Sequence, residues 1–119
     1  MRRLLAALLL APTLAAAGEP WDGTDQALGA VTLTATVIDW GQTRSIAKHP
    51  EQWRETNRVL GEHPSAGRVD AYFIGVIAAT ALLADWLVPR NRKLFLGAVA
   101  AVEFAVTARN RSLGIKIAF

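Results

Sequence analysis

Apolar and polar positions fall into long blocks along this chain. After Met1, Arg2 and Arg3, an apolar run extends from Leu4 to Ala17, broken only by Pro12 and Thr13 and followed by Gly18-Glu19-Pro20. Three more apolar stretches lie at 24–47, 71–88 and 94–108, each rich in Ala, Leu, Val and Ile and free of internal Pro. Stretches of this length favour helix over strand. The alternation Val-Thr-Leu-Thr-Ala-Thr-Val at 31–37 is a strand-like signal inside the first of them, but helix remains the expectation there. Asp22 or Thr24 can cap its start, and His49-Pro50 stops it. Pro89 likewise ends the second stretch. The short link at 89–93 then makes the second and third helices an antiparallel hairpin. The polar segment 49–70 lies between the first two stretches. In it Pro50 and Glu51 look like the first turn of a short helix reaching Leu60 before Gly61. The expected fold is all-α: a small bundle of three helices within 18–119, as one domain, preceded by a cleavable N-terminal signal helix at 1–17.

The leader has three recognisable parts: a basic start, a short Leu/Ala run and the small pair Ala15-x-Ala17, which sets cleavage after Ala17. The alternative is an uncleaved anchor, although its apolar run is short against the roughly 20 residues of a usual span. The chain has no Cys. That excludes a lipid-modified Cys anchor, disulfides and thiol chemistry, so about 100 residues must be held by packing or by lipid.

Composition adds less than distribution does. Of 119 residues 52% are apolar, and 13 Lys+Arg against 10 Asp+Glu give a net charge of +3. A disordered chain, a multidomain enzyme and a strongly basic nucleic-acid binder are all excluded, since the cations form no clustered stripe. Charge-free runs are limited to 26–38, 71–84 and 94–102, lengths that also suit buried helices of a soluble bundle. The flanks favour a bilayer. Trp21 and Trp40 bracket the first stretch, Tyr72-Phe73 and Trp86 the second, and Phe95 opens the third, which is where interfacial aromatics belong. The third stretch is short, so it tilts shallowly, thins the bilayer or stops short of crossing. With the leader removed, three crossings place the mature N-terminus outside and the C-terminus inside. Arg44, Lys48, Arg54, Arg58, Arg68, Arg109, Arg111 and Lys116 are then internal, against Arg90, Arg92 and Lys93 external. This agrees with the positive-inside rule apart from the basic external turn. The expected location is the inner membrane, with a periplasmic or secreted bundle as the alternative.

Polar residues within the stretches recur at spacings of three and four. Asp25, Gly29, Thr32, Thr36, Asp39 and Thr43 form one stripe. Ala71, Gly75, Ala78, Ala81 and Asp85 form a second, and Ala100, Glu103, Thr107 and Asn110 a third. Each helix thus has a face of small or polar residues suited to close packing in lipid. Three readings of the acids compete. Asp39, Asp85 and Glu103 pair with Arg44, Arg90 and Arg109 near helix ends; or they set the register of the bundle, protonated or paired within it; or they form a functional site.

The densest chemistry follows the first helix. Asp39-x-x-Gln42-Thr43 closes it, and Glu55-x-Asn57, Gly61-Glu62-His63-Pro64-Ser65 and Asp70-x-Tyr72 come next. The Asp-x-x-x-Thr … Glu-x-Asn pattern over 39–61 resembles small multi-pass bacterial and phage membrane proteins of unknown function, with Arg58 standing where that pattern has Pro. The resemblance implies a membrane bundle and transfers no mechanism. Physically, Glu55 and Asn57 can turn back onto Asp39 and Thr43 to cap the first helix. His49, His63, Glu55 and Asp39 are metal-ligand types, but their spacing matches no metal motif, and Ser45, Ser65 and Ser112 lack a nucleophile context. No cofactor or metal is implied.

The function expected is a structural or interaction module of the inner membrane, with the lipid bilayer as partner, together with a second copy or another membrane protein, and no nucleic acid. Its candidate polar cluster is Asp39, Gln42, Thr43, Glu55, Asn57, His63, Asp85 and Glu103. Two alternatives differ in class: a holin-like pore-forming lysis protein, suggested by three helices in about 100 residues, and a soluble exported bundle or enzyme using Asp39, Glu55 and His63.

Overall fold

A computed structural model describes residues 18–119; the signal helix at 1–17 and its cleavage after Ala17 lie outside the described residues. Three helices follow in order: α1 (Gly23–Lys48), α2 (Ala66–Trp86) and α3 (Pro89–Ser112), with no strand among the described residues. The protein is a small all-helical bundle.

The alternating segment 31–37 lies wholly inside α1. Its threonines adapt to the helix by returning hydroxyls to the preceding turn: Thr34 Oγ1 donates to Ala30 O and Thr36 Oγ1 to Thr32 O, each at 2.8 Å. Asp22 caps α1 through a reciprocal pair, with Asp25 N donating to Asp22 Oδ1 at 2.8 Å and Asp22 N donating to Asp25 Oδ2 at 3.1 Å.

The other boundaries differ from the sequence expectation. α2 begins at Ala66 rather than 71, because the Ser65 hydroxyl accepts from Arg68 N at 3.1 Å and caps the helix one turn before the apolar run. Pro89 does not separate two helices by a five-residue link. It occupies the first turn of α3, where its missing N–H costs nothing, and only Leu87 and Val88 connect α2 to α3. α3 continues past 108 to Ser112, with Arg109 and Arg111 in its last turn, where cations complement the helix dipole. Gly114, at φ +85°, then reverses the chain. The C-terminal segment returns to α1, where Ala118 N donates to Gly41 O at 3.0 Å. A Cβ on Gly41 would run into the side chains of Ile117 and Phe119, so glycine leaves room for this segment as it lies here.

The short helix expected at 50–60 is not formed. This segment is a series of turns, because its side chains take the backbone donors that a helix would use. Glu55 Oε1 accepts from Thr56 N and Asn57 N, and Asn57 Oδ1 accepts from Val59 N. Gly61, at φ +82°, completes the reversal.

Cross-helix contacts define the directions. Asp25 meets Arg92, Thr32 meets Leu96 and Gln42 meets Thr107, so α1 and α3 run the same way. Trp21 meets Asp85 while Trp40 meets Asp70, so α2 runs opposite to α1. α1 is the central helix; it packs mainly on α3, less on α2, and the last two touch least.

Burial is divided unevenly. A compact apolar cluster of Leu60, Val69 and Phe73, flanked by Trp40, Ala47 and Tyr72, lies at the loop end. Along the α1–α3 contact the buried residues are instead largely polar: Asp25, Thr32, Thr36, Gln42, Thr43, Arg92 and Thr107. The small-residue stripe expected to pack α2 does not do so. Ala71, Gly75, Ala78 and Ala81 are exposed, and α2 turns Val69, Phe73 and Ala84 inward. Both faces of α2 are apolar, so its rotation is set by contacts the stripe does not contain: Phe73 stacked on Trp40 and Asp70 bonded to Trp40 and Arg44.

Candidate functional site

The α1–α3 seam has three parts. At its first end Arg92, fully buried, gathers the ends of all three helices. Its guanidinium donates to Asp25 Oδ2 at 3.0 Å, Ala84 O at 2.8 Å, Leu87 O at 3.1 Å and Glu19 O at 2.9 Å. It also lies 5.3 Å from the centre of the Trp21 ring. Lys93 Nζ bridges Asp22 at 2.9 Å and Asp25 at 2.8 Å. Its hydrogen bond holds the Asp22 carboxyl below the ordinary 3.8, and the two carboxylates hold Lys93 above 10.5. The sequence reading placed Arg92 and Lys93 in an external basic turn. They are ion-paired to the start of α1, 67 and 68 positions away, which leaves the side of that turn untouched.

The middle of the seam contains Asp39, Gln42, Thr43 and Glu103. Thr43 Oγ1 donates to Asp39 Oδ1 at 3.3 Å, and Glu103, followed by Glu55, is the like charge that acts most on Asp39. Glu103 Oε2 is buried and receives no donor among the described residues. Next to them Gln42 bonds both ways across the helices, donating to Thr107 O at 3.2 Å and accepting from Asn110 Nδ2 at 3.1 Å. Gln42→Leu removes both bonds at a site 4% exposed. It is expected to cost about 1–2 kcal/mol, the usual penalty for orphaning a buried amide partner, read as a lower unfolding midpoint in detergent. An unchanged midpoint would show that the seam does not hold the helices together.

At the loop end Asp70 takes Arg44 and, at 2.8 Å, Trp40 Nε1. These two donors hold its carboxyl below 3.8. A carboxylate depressed on folding contributes stability at pH values above its unfolded pKa and loses it as pH falls through the folded one. The stability that Asp70 supplies, read as the difference between the melting midpoints of the parent and of Asp70→Asn, is therefore expected to stay level from neutral pH down to 3.8 and to shrink below that. In Asp70→Asn the acid-side decline should be shallower; an identical decline in both proteins would remove Asp70 from the account.

The remaining candidates are dispersed. Asn57 Nδ2 donates to the Tyr72 hydroxyl at 2.9 Å and does not reach α1. Glu55 binds its own loop, so neither residue caps α1; His49 does, through its N–H to Ile46 O at 3.2 Å. His63 is exposed on the loop. Asp85 accepts from Trp21 Nε1 at 3.0 Å at the far end of the bundle. The pairs expected for Arg44, Arg90 and Arg109 with Asp39, Asp85 and Glu103 are not formed among the described residues. Nor do any three His, Asp or Glu side chains there converge as metal ligands. Asp70 with Trp40, and Asp25 with Arg92, are polar pairs that the sequence does not connect; only helix direction could have joined them. No family model, characterised protein or solved structure matches this chain.

Proposed function

We propose that the chain is an integral inner-membrane protein, a structural or interaction module whose helices are held together by polar faces, with no chemical reaction assigned. One observation carries this reading: polar residues are buried along the α1–α3 seam while large apolar side chains stand on the outside of the bundle. Asp25, Thr32, Thr36, Gln42, Thr43, Arg92 and Thr107 are buried, while Leu33, Ile74, Leu82, Leu94, Val102 and Phe104 are each about half exposed or more. In water such an arrangement forfeits hydrophobic stabilisation, since apolar area contributes only when removed from solvent. In lipid it is the stable arrangement, because polar groups must find partners inside and apolar side chains meet acyl chains at no cost.

The dimensions agree. Seventeen positions separate Gly23, where α1 begins, from Trp40, roughly 26 Å of helix, against about 30 Å of hydrocarbon in a bilayer. Trp86, on the Trp21 side, is 57% exposed, and Phe119, on the Trp40 side, is 62% exposed. Among the described residues one helix, α2, is long and apolar enough to cross a membrane by composition. The mean hydropathy of α1 and α3 is lowered by polar residues, several of which face the seam. At 24 residues, α3 extends about 36 Å, sufficient length for a crossing. With α1 parallel to α3 and antiparallel to α2, the last two helices serve as an antiparallel hairpin.

The cations fall unevenly between the two ends of the bundle. Arg90, Arg92 and Lys93 stand at the end where α2 passes to α3. At the opposite end Lys48, Arg58, Arg68, Arg109, Arg111 and Lys116 make no ion pair among the described residues. This favours the mature N-terminus outside and the loop and C-terminus inside. The test is tryptophan fluorescence in vesicles containing acyl-brominated lipid. Strong quenching, greatest for bromines near the headgroup, is expected, whereas emission unaffected by brominated lipid would overturn the reading.

A further inference from the structure

A groove of about 580 Å³ runs between α1, α3 and the returning C-terminal segment. Ile38, Phe104, Ile115 and Ile117 form its apolar walls, and Arg111 and Lys116 are the charged residues that line it. No carboxylate lines it, and both cations are exposed and without an ion pair among the described residues. Their positions are not arbitrary. Arg111 stands in the last turn of α3 and Lys116 two residues beyond the reversal at Gly114, whereas Phe104 lies two helical turns earlier on α3. Two turns span roughly 11 Å, so the groove passes from cations at the helix end to an apolar floor at acyl depth.

From this we infer that the groove is a binding site for one anionic phospholipid, whose phosphate meets Arg111 and Lys116 while an acyl chain lies along Ile38, Phe104 and Ile117. The inference rests on the membrane reading above and deepens it by naming a lipid class. Charge complementarity selects the occupant. A zwitterionic lipid carries its own cation to the same mouth, where two protein cations repel it, and an uncharged apolar helix leaves both unpaired. Basic residues near a bilayer surface attract anionic headgroups individually, and two acting on one phosphate also orient it. Gln42 and Thr107 at the base of the groove are already bonded to the seam, so the specificity lies at the mouth.

Native mass spectrometry of the full chain released from detergent, titrated separately with phosphatidylglycerol, phosphatidylcholine and glycerol phosphate, tests this. One phosphatidylglycerol adduct is expected, favoured about tenfold over phosphatidylcholine, with no retention of glycerol phosphate. The exposed double variant R111Q/K116Q should lower that preference to about twofold. A108F, which fills the groove without altering its charge, should lose the adduct while keeping its helical content. Equal retention of both lipids, binding of glycerol phosphate alone, or a second protein copy occupying the site in place of lipid would each overturn the inference. In the first two cases, insertion into brominated vesicles would persist, so the membrane reading and this one fail separately.

Discussion

Arg92→Met is expected to be the most damaging single substitution in the seam, lowering stability by about 3 kcal/mol. The methionine would fill much of the volume but satisfy none of the carbonyls of Ala84, Leu87 and Glu19 that Arg92 now binds. Ala84 belongs to the last turn of α2, whose carbonyls have no partner within the helix, and Leu87 is the residue that ends it. Each buried orphan costs on the order of 1–3 kcal/mol. Lys93 continues to hold Asp25, which keeps the loss at the lower end of the range for a broken buried ion pair. Arg92→Lys should recover little, because one ammonium cannot reproduce the planar fork that reaches five acceptors. Both variants are checked by denaturant unfolding in detergent, followed by circular dichroism; midpoints equal to the parent's would show that this junction does not close the bundle.

Phe73→Ala is expected to cost about 3–5 kcal/mol, the range for emptying a buried aromatic site. Phe73 is 2% exposed, stacks on Trp40 with ring centroids 6.2 Å apart and meets Tyr72 edge-on at 5.1 Å. It belongs to the small apolar cluster that also holds Leu60, the one loop residue buried there. Its removal leaves the turns at 49–65 with little to dock on. Limited proteolysis should then cut near Arg54 and Arg58 well before the helices lose their signal. Cleavage no faster than in the parent would mean that the hydrogen bonds of the loop, rather than this cluster, hold it.

The two substitutions act by different physics at opposite ends of the molecule, and they differ in how far the sequence foretells them. The α1 and α3 stripes are readable because residues three and four apart must share a face whatever the surroundings: Thr32, Thr36 and Thr43 are buried and so is Thr107. What the stripes meet is not readable. Arg92 reaches Asp25 only because α3 runs parallel to α1, and a proline at 89 says where a helix can start without saying which helix it packs on. The same holds for Arg44, whose nearest acid in sequence is Asp39 but whose partner is Asp70. α2 misleads for another reason. Its sequence carries an apolar residue on almost every face, so periodicity leaves its rotation open, and the aromatic contact of Phe73 with Trp40 decides it. In the loop, Pro50-Glu51 is a true helix-start signal defeated locally, since Glu55 and Asn57 bind the N–H groups that a helix would need.

The central claim is that apolar side chains left outside the bundle face lipid. Among the described residues Leu94 and Val102 are 64% and 62% exposed, the exterior that the proposed placement in the bilayer core requires. The direct measurement is an alkaline carbonate wash of membranes from cells making the tagged full chain, followed by centrifugation. The protein should remain in the pellet and leave it only with detergent; release into the carbonate supernatant would contradict the account.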